Sequence, residues 1–234
     1  MHNISDFILY LHNQHSAKFI QKNCFPTHLI TMDRLLFENK LWNENYSRIM
    51  GLDEVGRGCL SGPVVAAGVI LKPGHPIADI RDSKQLSLSQ RTGFAKTIKK
   101  KALFWTVQWC EPAKIDELNI LHASHQAMKK CADANEAKPD YLLIDGNSFC
   151  DTVYPHQCIV RGDDRSVSIA AASILAKVYR DNLMKKLHEA YPHYGWITNV
   201  GYPTKEHFAG LQEYGITNHH RRSFKLRTDK EWEK

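Results

Sequence analysis

No stretch of this 234-residue sequence approaches the roughly 20 apolar residues that a bilayer-crossing helix needs. A helical membrane protein is therefore excluded. No Lys or Arg precedes the short apolar run Phe7–Leu11, and that run is too brief for a secretory signal core. The chain is expected to be soluble and cytoplasmic. Its six cysteines form no C-x-x-C pair and match no zinc framework. A chain this long does not need disulfide staples, so reduced thiols are expected. No internal repeat or low-complexity tract is visible, which sets aside repeat architectures. Acidic residues are the scarcer charge, 25 against 31 Lys and Arg, for a net +6 beside 13 histidines. That excess fits a polyanionic partner without requiring one. What remains is globular material, 43% hydrophobic and 24% charged, enough for one large domain or a domain with a small appendage.

Against this ordinary background, Gly-Leu-Asp-Glu-Val-Gly-Arg-Gly at 51–58 stands out. Asp53 and Glu54 close an apolar run and open onto a glycine turn that holds one arginine. A buried carboxylate pair is costly unless a cation or dense hydrogen bonding compensates it. Glycines let bare backbone N–H groups approach a phosphate-bearing partner, and a guanidinium binds one directly. Gly56 to Gly62 also loosely imitates a dinucleotide fingerprint. That fingerprint must open a helix, whereas Pro63-Val-Val-Ala-Ala-Gly-Val-Ile-Leu reads as a strand, so the dinucleotide reading is set aside.

Residues 1–32 read as a short capped helix and a connection ending at Pro26. Residues 33–46 read as a second helix with Leu36, Phe37, Leu41 and Trp42 on one face. Strands are predicted at Arg48–Asp53, Val64–Leu71, Ala102–Cys110, Tyr141–Asp145 and Gln157–Val160, the first two as a hairpin. Ser87 and Gln90 form a capping box that opens a helix to about Lys101. Pro112 to Asn135 reads helical with a break near Asn119. Ser166 to Ala190 reads as a long helix whose small-residue start lets it sit close to a sheet. Thr204 caps a further helix that Gly215 ends. Interleaved strands and helices, with helices after them, argue an α/β domain followed by a helical tail. The expected division is a helical extension at 1–46, a catalytic domain at 47–190 and a helical, basic segment at 191–234.

Three predicted strands end near acids: Asp53 with Glu54, Asp145, and Asp163 with Asp164. Ligand sites gather at strand ends in α/β sheets. Four carboxylates in one place need cations, and hard divalent ions with oxygen ligands answer that need. Taken singly, Asp145 before Gly-Asn is a turn residue, and Asp163 or Asp164 could cap the helix at Ser166. Neighbouring strand residues also point to opposite faces, so a shared site for Asp53 and Glu54 calls for a bend or a backbone ligand.

The chain resembles bacterial ribonuclease HII, the type 2 ribonuclease H family. The segments that carry the resemblance are GLDEVGRGCLSGPVVAAGVIL (51–71), DSKQLS (82–87), IDELNILHA (115–123), LLIDGN (142–147), RGDDRSVSIAAASILAKVYRD (161–181), GYPTKEH (201–207) and HHRRSF (219–224). Ribonuclease HIII typically has Gly-Thr-Gly in the turn and a larger N-terminal domain, so Arg57 and the short lead-in favour HII. The resemblance implies a ribonuclease H-like α/β fold, a mixed five-stranded sheet flanked by helices, with a small C-terminal helical part. It implies hydrolysis of RNA in RNA–DNA hybrids, and incision 5′ to ribonucleotides in duplex DNA, with two Mg²⁺ or Mn²⁺ ions.

Carried over by motif, Asp53, Glu54, Asp145 and Asp163 would be the catalytic, metal-binding acids, with Asp164 ranked below Asp163. Gly56, Arg57 and Gly58 would surround the ribose 2′-hydroxyl, and Tyr202 would stack on the neighbouring deoxyribose. Lys84 and Lys177 are candidate phosphate contacts, with Arg180, Arg221 and Arg222 behind them, although a solvated surface role fits any one of these. Residues 216–228 carry four basic side chains and no acid, a stripe that suits DNA. His122, His125, His219 and His220 read as surface polar residues, not ligands. A monomer is expected. The competing function is a catalytically silent hybrid-binding module.

Overall fold

A computed structural model describes residues 34–77, 80, 83 and 86–226. The predicted helix in residues 1–32, and Lys84, lie outside the described residues. The sheet has five strands: β1 (Ile49–Val55), β2 (Val64–Ile70), β3 (Phe104–Cys110), β4 (Tyr141–Asp145) and β5 (His156–Ile159), in the order β3-β2-β1-β4-β5. β1 and β2 form the expected antiparallel hairpin, and β3 pairs antiparallel with β2. β4 and β5 run parallel to β1. The sheet is therefore mixed, and β1 at its centre is covered on both faces.

Around it lie α1 (Leu36–Asn43), α2 (Leu88–Lys101), α3 (Pro112–Leu118), α4 (Ile120–Ala132), α5 (Gly162–Arg165), α6 (Val167–Ala190), α7 (Trp196–Asn199) and α8 (Lys205–Tyr214). The capping box at Ser87 is formed as the sequence predicts. The break near Asn119 is a residue at φ 69° whose side chain caps α4. α1 buries Leu41, with Phe37 and Trp42, against Ile49, Leu143 and Ile159. Leu36, expected on that face, is exposed.

α6 lies across one face of the sheet. Ala170, Ala171, Ala172 and Ala176 are buried against Val65, Ala67 and Val69. α4 covers the other face, where Met128 and Cys131 meet Met50, Leu52 and Ala66. Small side chains bring the α6 backbone so close to β1 that a Cβ on Gly51 would lie 2.1 Å from the Ser168 carbonyl carbon. Glu38 braces the start of α6, accepting from Ser166 Oγ at 2.6 Å and from Ser168 N at 2.9 Å.

Beyond α6 a second core gathers Leu60, Met184, Tyr194, Trp196 and Leu211. His207 and His220 sit inside it, 0% and 1% exposed. The surface role expected for His220 is thus corrected, and so is that of His125, which lies on the buried face of α4. Hydrogen bonding fixes both tautomers of the inner pair. His207 Nδ1 donates to Tyr202 O at 2.9 Å, so Nε2 accepts from Trp196 Nε1 at 3.1 Å and from His220 Nε2 at 3.2 Å. His220 Nδ1 then accepts from Thr217 N at 3.0 Å. A proton added to either ring would meet a donor. Burial lowers His207 and brings His220 down to about 4.

An unfolded histidine titrates near 6.5, so below that pH the unfolded chain binds more protons. The stabilisation is complete above about pH 6.5 and is lost as pH falls toward about 4. Relative to neutral pH, His220 alone is expected to cost about 2 kcal/mol at pH 5. Urea melts of wild type and His220→Gln between pH 7.5 and 5 would check this, because their difference should shrink with acidity. A pH-independent difference would rule it out.

Candidate active site

Register brings the acids together. Leu52 pairs with Ile144, which sets Asp53 and Asp145 beside each other at the ends of β1 and β4. Both lie on the face covered by α6, where Asp53 is 5% exposed and bonded to Ser173. Asp145 Oδ1 accepts from Gly162 N at 2.6 Å, which draws the first turn of α5 against β4. Asp163, the next residue, is buried there. Asp164 pairs instead with Arg161 at 2.9 Å and Arg34 at 3.7 Å.

Of the bend or backbone ligand that a shared site for Asp53 and Glu54 calls for, the bend does not interrupt the strand. Pairing with β2 continues to Val55, and the left-handed residue is Gly56, at φ 94°. Glu54 stands near the strand end, where Arg57 holds its carboxylate at 3.2 Å and where its charge still reaches Asp53. Its backbone N–H donates to Asp53 Oδ1 at 2.7 Å. Burial lifts Asp53 well above the ordinary carboxylate range, and the charges of Glu54, Asp145 and Asp163 lift it further. Burial also raises Glu54, with Arg57 pulling the other way and Asp145 adding to the rise.

Such mutual repulsion is what a divalent cation relieves, and the donors are all hard oxygens. Among the described residues, no three His, Cys, Asp or Glu side chains come together as a ready-made cage.

The glycine turn rises beside these acids. Arg57 is half-exposed, and a Cβ on Gly58 would lie 3.8 Å from the Tyr202 ring. Tyr202 is 40% exposed, and its hydroxyl bonds to Cys59. The turn and the Tyr202 segment are joined by Leu60 N donating to Gly201 O at 2.8 Å. Lys177 is mostly buried and bound to Asp181 at 2.8 Å. Ser83, in the Asp-Ser-Lys motif, meets Ser173 Oγ at 3.0 Å and so reaches the acid cluster.

Two basic residues expected at the surface are buried. Arg180 and Arg221 are both 0% exposed and donate to backbone carbonyls around the turn. Burial brings Arg221 down to about 10, and the neighbouring charge of Arg180 acts in the same direction. The basic stripe is therefore partly folded inward, and Asp116 anchors it through Arg222 N and Ser223 N, each at 2.9 Å. The signal for Arg180 was present in helical spacing. Ala176, Arg180 and Met184 recur at i, i+4 and i+8, on a face that is buried throughout.

A family model described as Ribonuclease HII matches residues 50–227, which include every acid and the whole turn. The ribonuclease HII of Salinibacter ruber is 50% identical over 199 residues, covering 83% of this chain and all of that protein. That of Bacteroides thetaiotaomicron is 50% identical over 182 residues, covering 76% of this chain and 90% of the other. Among solved structures, ribonuclease H2 from Pyrococcus horikoshii aligns with a TM-score of 0.68 at 23% identity, over 76% of this chain and 94% of that one. A ribonuclease HIII (Bst) in complex with Mn²⁺ aligns with a TM-score of 0.57 at 21% identity, over 76% of this chain and 67% of the other. These last two show the shared fold. With sequence likeness running across the acid cluster, the glycine turn and the tail that supports them, the chain belongs to the ribonuclease HII family.

Proposed function

We propose that this ribonuclease H is an endonuclease that cuts the RNA strand of RNA–DNA hybrids and incises 5′ to ribonucleotides embedded in duplex DNA. The products carry 3′-hydroxyl and 5′-phosphate ends. The observation that carries this reading is the placement of the glycine turn and Tyr202 side by side at the rim of the acid cluster. A ribose 2′-hydroxyl is both donor and acceptor, and it distinguishes RNA from DNA at a single nucleotide. The backbone N–H and C=O groups of Gly56, Arg57 and Gly58 can meet both capacities. Tyr202, facing the turn, would lie against the sugar of the next nucleotide, where an added hydroxyl would crowd its ring.

Asp53, Glu54, Asp145 and Asp163 would hold two divalent ions, Mg²⁺ or Mn²⁺, with substrate bound. Those ions would activate the attacking water and stabilise the charge on the leaving oxygen. The protein's own part is positional. Ser173 steadies Asp53, Arg57 steadies Glu54, and Gly162 orients Asp145. Lys177 and the outward basic residues of the tail would follow the phosphates.

Duplex DNA carrying one ribonucleotide should be cut on the 5′ side of that nucleotide when Mg²⁺ is present, and left whole when EDTA is added. The all-DNA duplex should survive both conditions. Retained binding with no incision would return the protein to a hybrid-binding module.

A further inference from the structure

The turn between β1 and β2 is held from beneath by two buried guanidinium groups. Arg180 Nε donates to Pro63 O at 3.0 Å, Nη2 to Ser61 O at 3.0 Å and Nη1 to Val200 O at 2.8 Å. Arg221 Nε donates to Gly62 O and Nη1 to Arg57 O, both at 3.0 Å. One arginine thus ties the turn to the segment that carries Tyr202, and the other ties it to the C-terminal tail. The fit leaves no slack. A Cβ on Gly56 would lie 2.3 Å from Arg180 Nε, and one on Gly201 would lie 2.7 Å from Ser61 O.

We propose that Arg180 and Arg221 are positioning residues for ribonucleotide recognition, and that they aim the turn at the sugar and fix Tyr202 against it. This rests on the function proposed above and adds the device that sets its selectivity. The peptide geometry gives the reason. In a trans peptide the N–H points opposite to the C=O. Arg221 draws the Arg57 carbonyl inward, so the N–H of Gly58 in the same peptide is turned away from Arg221.

Stability alone would not favour this arrangement. Two like charges are buried close together, and among the described residues neither Arg221 Nη2 nor Ser61 Oγ has a hydrogen-bond partner. A guanidinium can hold two or three carbonyls in one plane, whereas a lysine ammonium is a compact point charge without that fork. Arg→Lys therefore keeps the charge and removes the geometry.

The test compares wild type, Arg221→Lys and Arg180→Lys on two Mg²⁺-dependent substrates, a duplex with one ribonucleotide and a long RNA–DNA hybrid. Each variant is assayed well below its own melting temperature. A long hybrid offers many ribonucleotides in many registers, so loose aim should cost it little. Single-ribonucleotide incision is expected to fall about tenfold or more through kcat, because small misplacements are costly to oriented reactions. Hybrid cutting is expected to change less than about threefold. Equal losses on both substrates, or no loss on either, would overturn the inference. A wild-type protein that cuts neither substrate would overturn the proposed function and this inference with it. Should one variant fail to fold, the other decides, because each holds the turn from a different side.

Discussion

Asp145→Asn is expected to lose cleavage by at least about a hundredfold, the scale on which single electrostatic groups at a reacting phosphate act, while the fold and duplex binding persist. The substitution is close to isosteric. Its side-chain oxygen can still accept from Gly162 N, the contact that draws Asp163 toward β4. What it removes is charge. Asp145 raises both Asp53 and Glu54, so its neutralisation should lower both toward ordinary carboxylate behaviour. Stability should hold or rise slightly, because a charge that repels its neighbours has gone. Cleavage, fluorescence anisotropy on an uncut duplex and a thermal melt together check this. Normal turnover would remove Asp145 from the reaction, and lost binding would make it a substrate contact instead.

Gly51→Ala is expected to cause the largest loss of stability of any single methyl group added to the chain. The added Cβ would meet backbone atoms, the Ser168 carbonyl carbon at 2.1 Å and Ile169 N at 2.4 Å. A side chain can swing aside, but a helix backbone cannot. α6 would have to lift from β1, and the buried Ala170–Ala172 stretch would lift with it. Overpacking ordinarily costs about 1–3 kcal/mol, and a backbone clash belongs at or beyond the upper end. A urea melt would measure it. Ala tolerated at under about 1 kcal/mol would mean that α6 has more freedom to shift than its close contact suggests. The same substitution at Gly93, where a Cβ meets nothing within 4 Å, should be well tolerated.

Much of this was legible in the residues. The Ser87 capping box, the Asn119 break and the small-residue start of α6 are local signals, set by side chains a few positions apart, and each appears in the structure where expected. Register explains why Asp53 and Asp145 meet, but no spacing in the sequence encodes it, because pairing of β1 with β4 is decided by long-range packing. The same limit hid the burial of Arg221 and His220. Arg221 and His220 lie in a polar tail that reads as surface, and they become interior only because the tail returns to bridge Ser61. Glu38, on a helix read only from its apolar face, is the partner of Ser166 and Ser168 for a similar reason.

The long helix α6 touches the acid cluster through Ser173 and the glycine turn through Arg180. Seven residues separate those contacts, two helical turns or about 10 Å of rise. In the function proposed above, the cutting end and the sensing end would be spaced by two turns of one helix. Substitutions can retune either end on its own. If the turn recognises the nucleotide and the acids break the bond, as proposed above, the offset between them would be set by the phase of one helix, which changes only in whole-residue steps of about 100°.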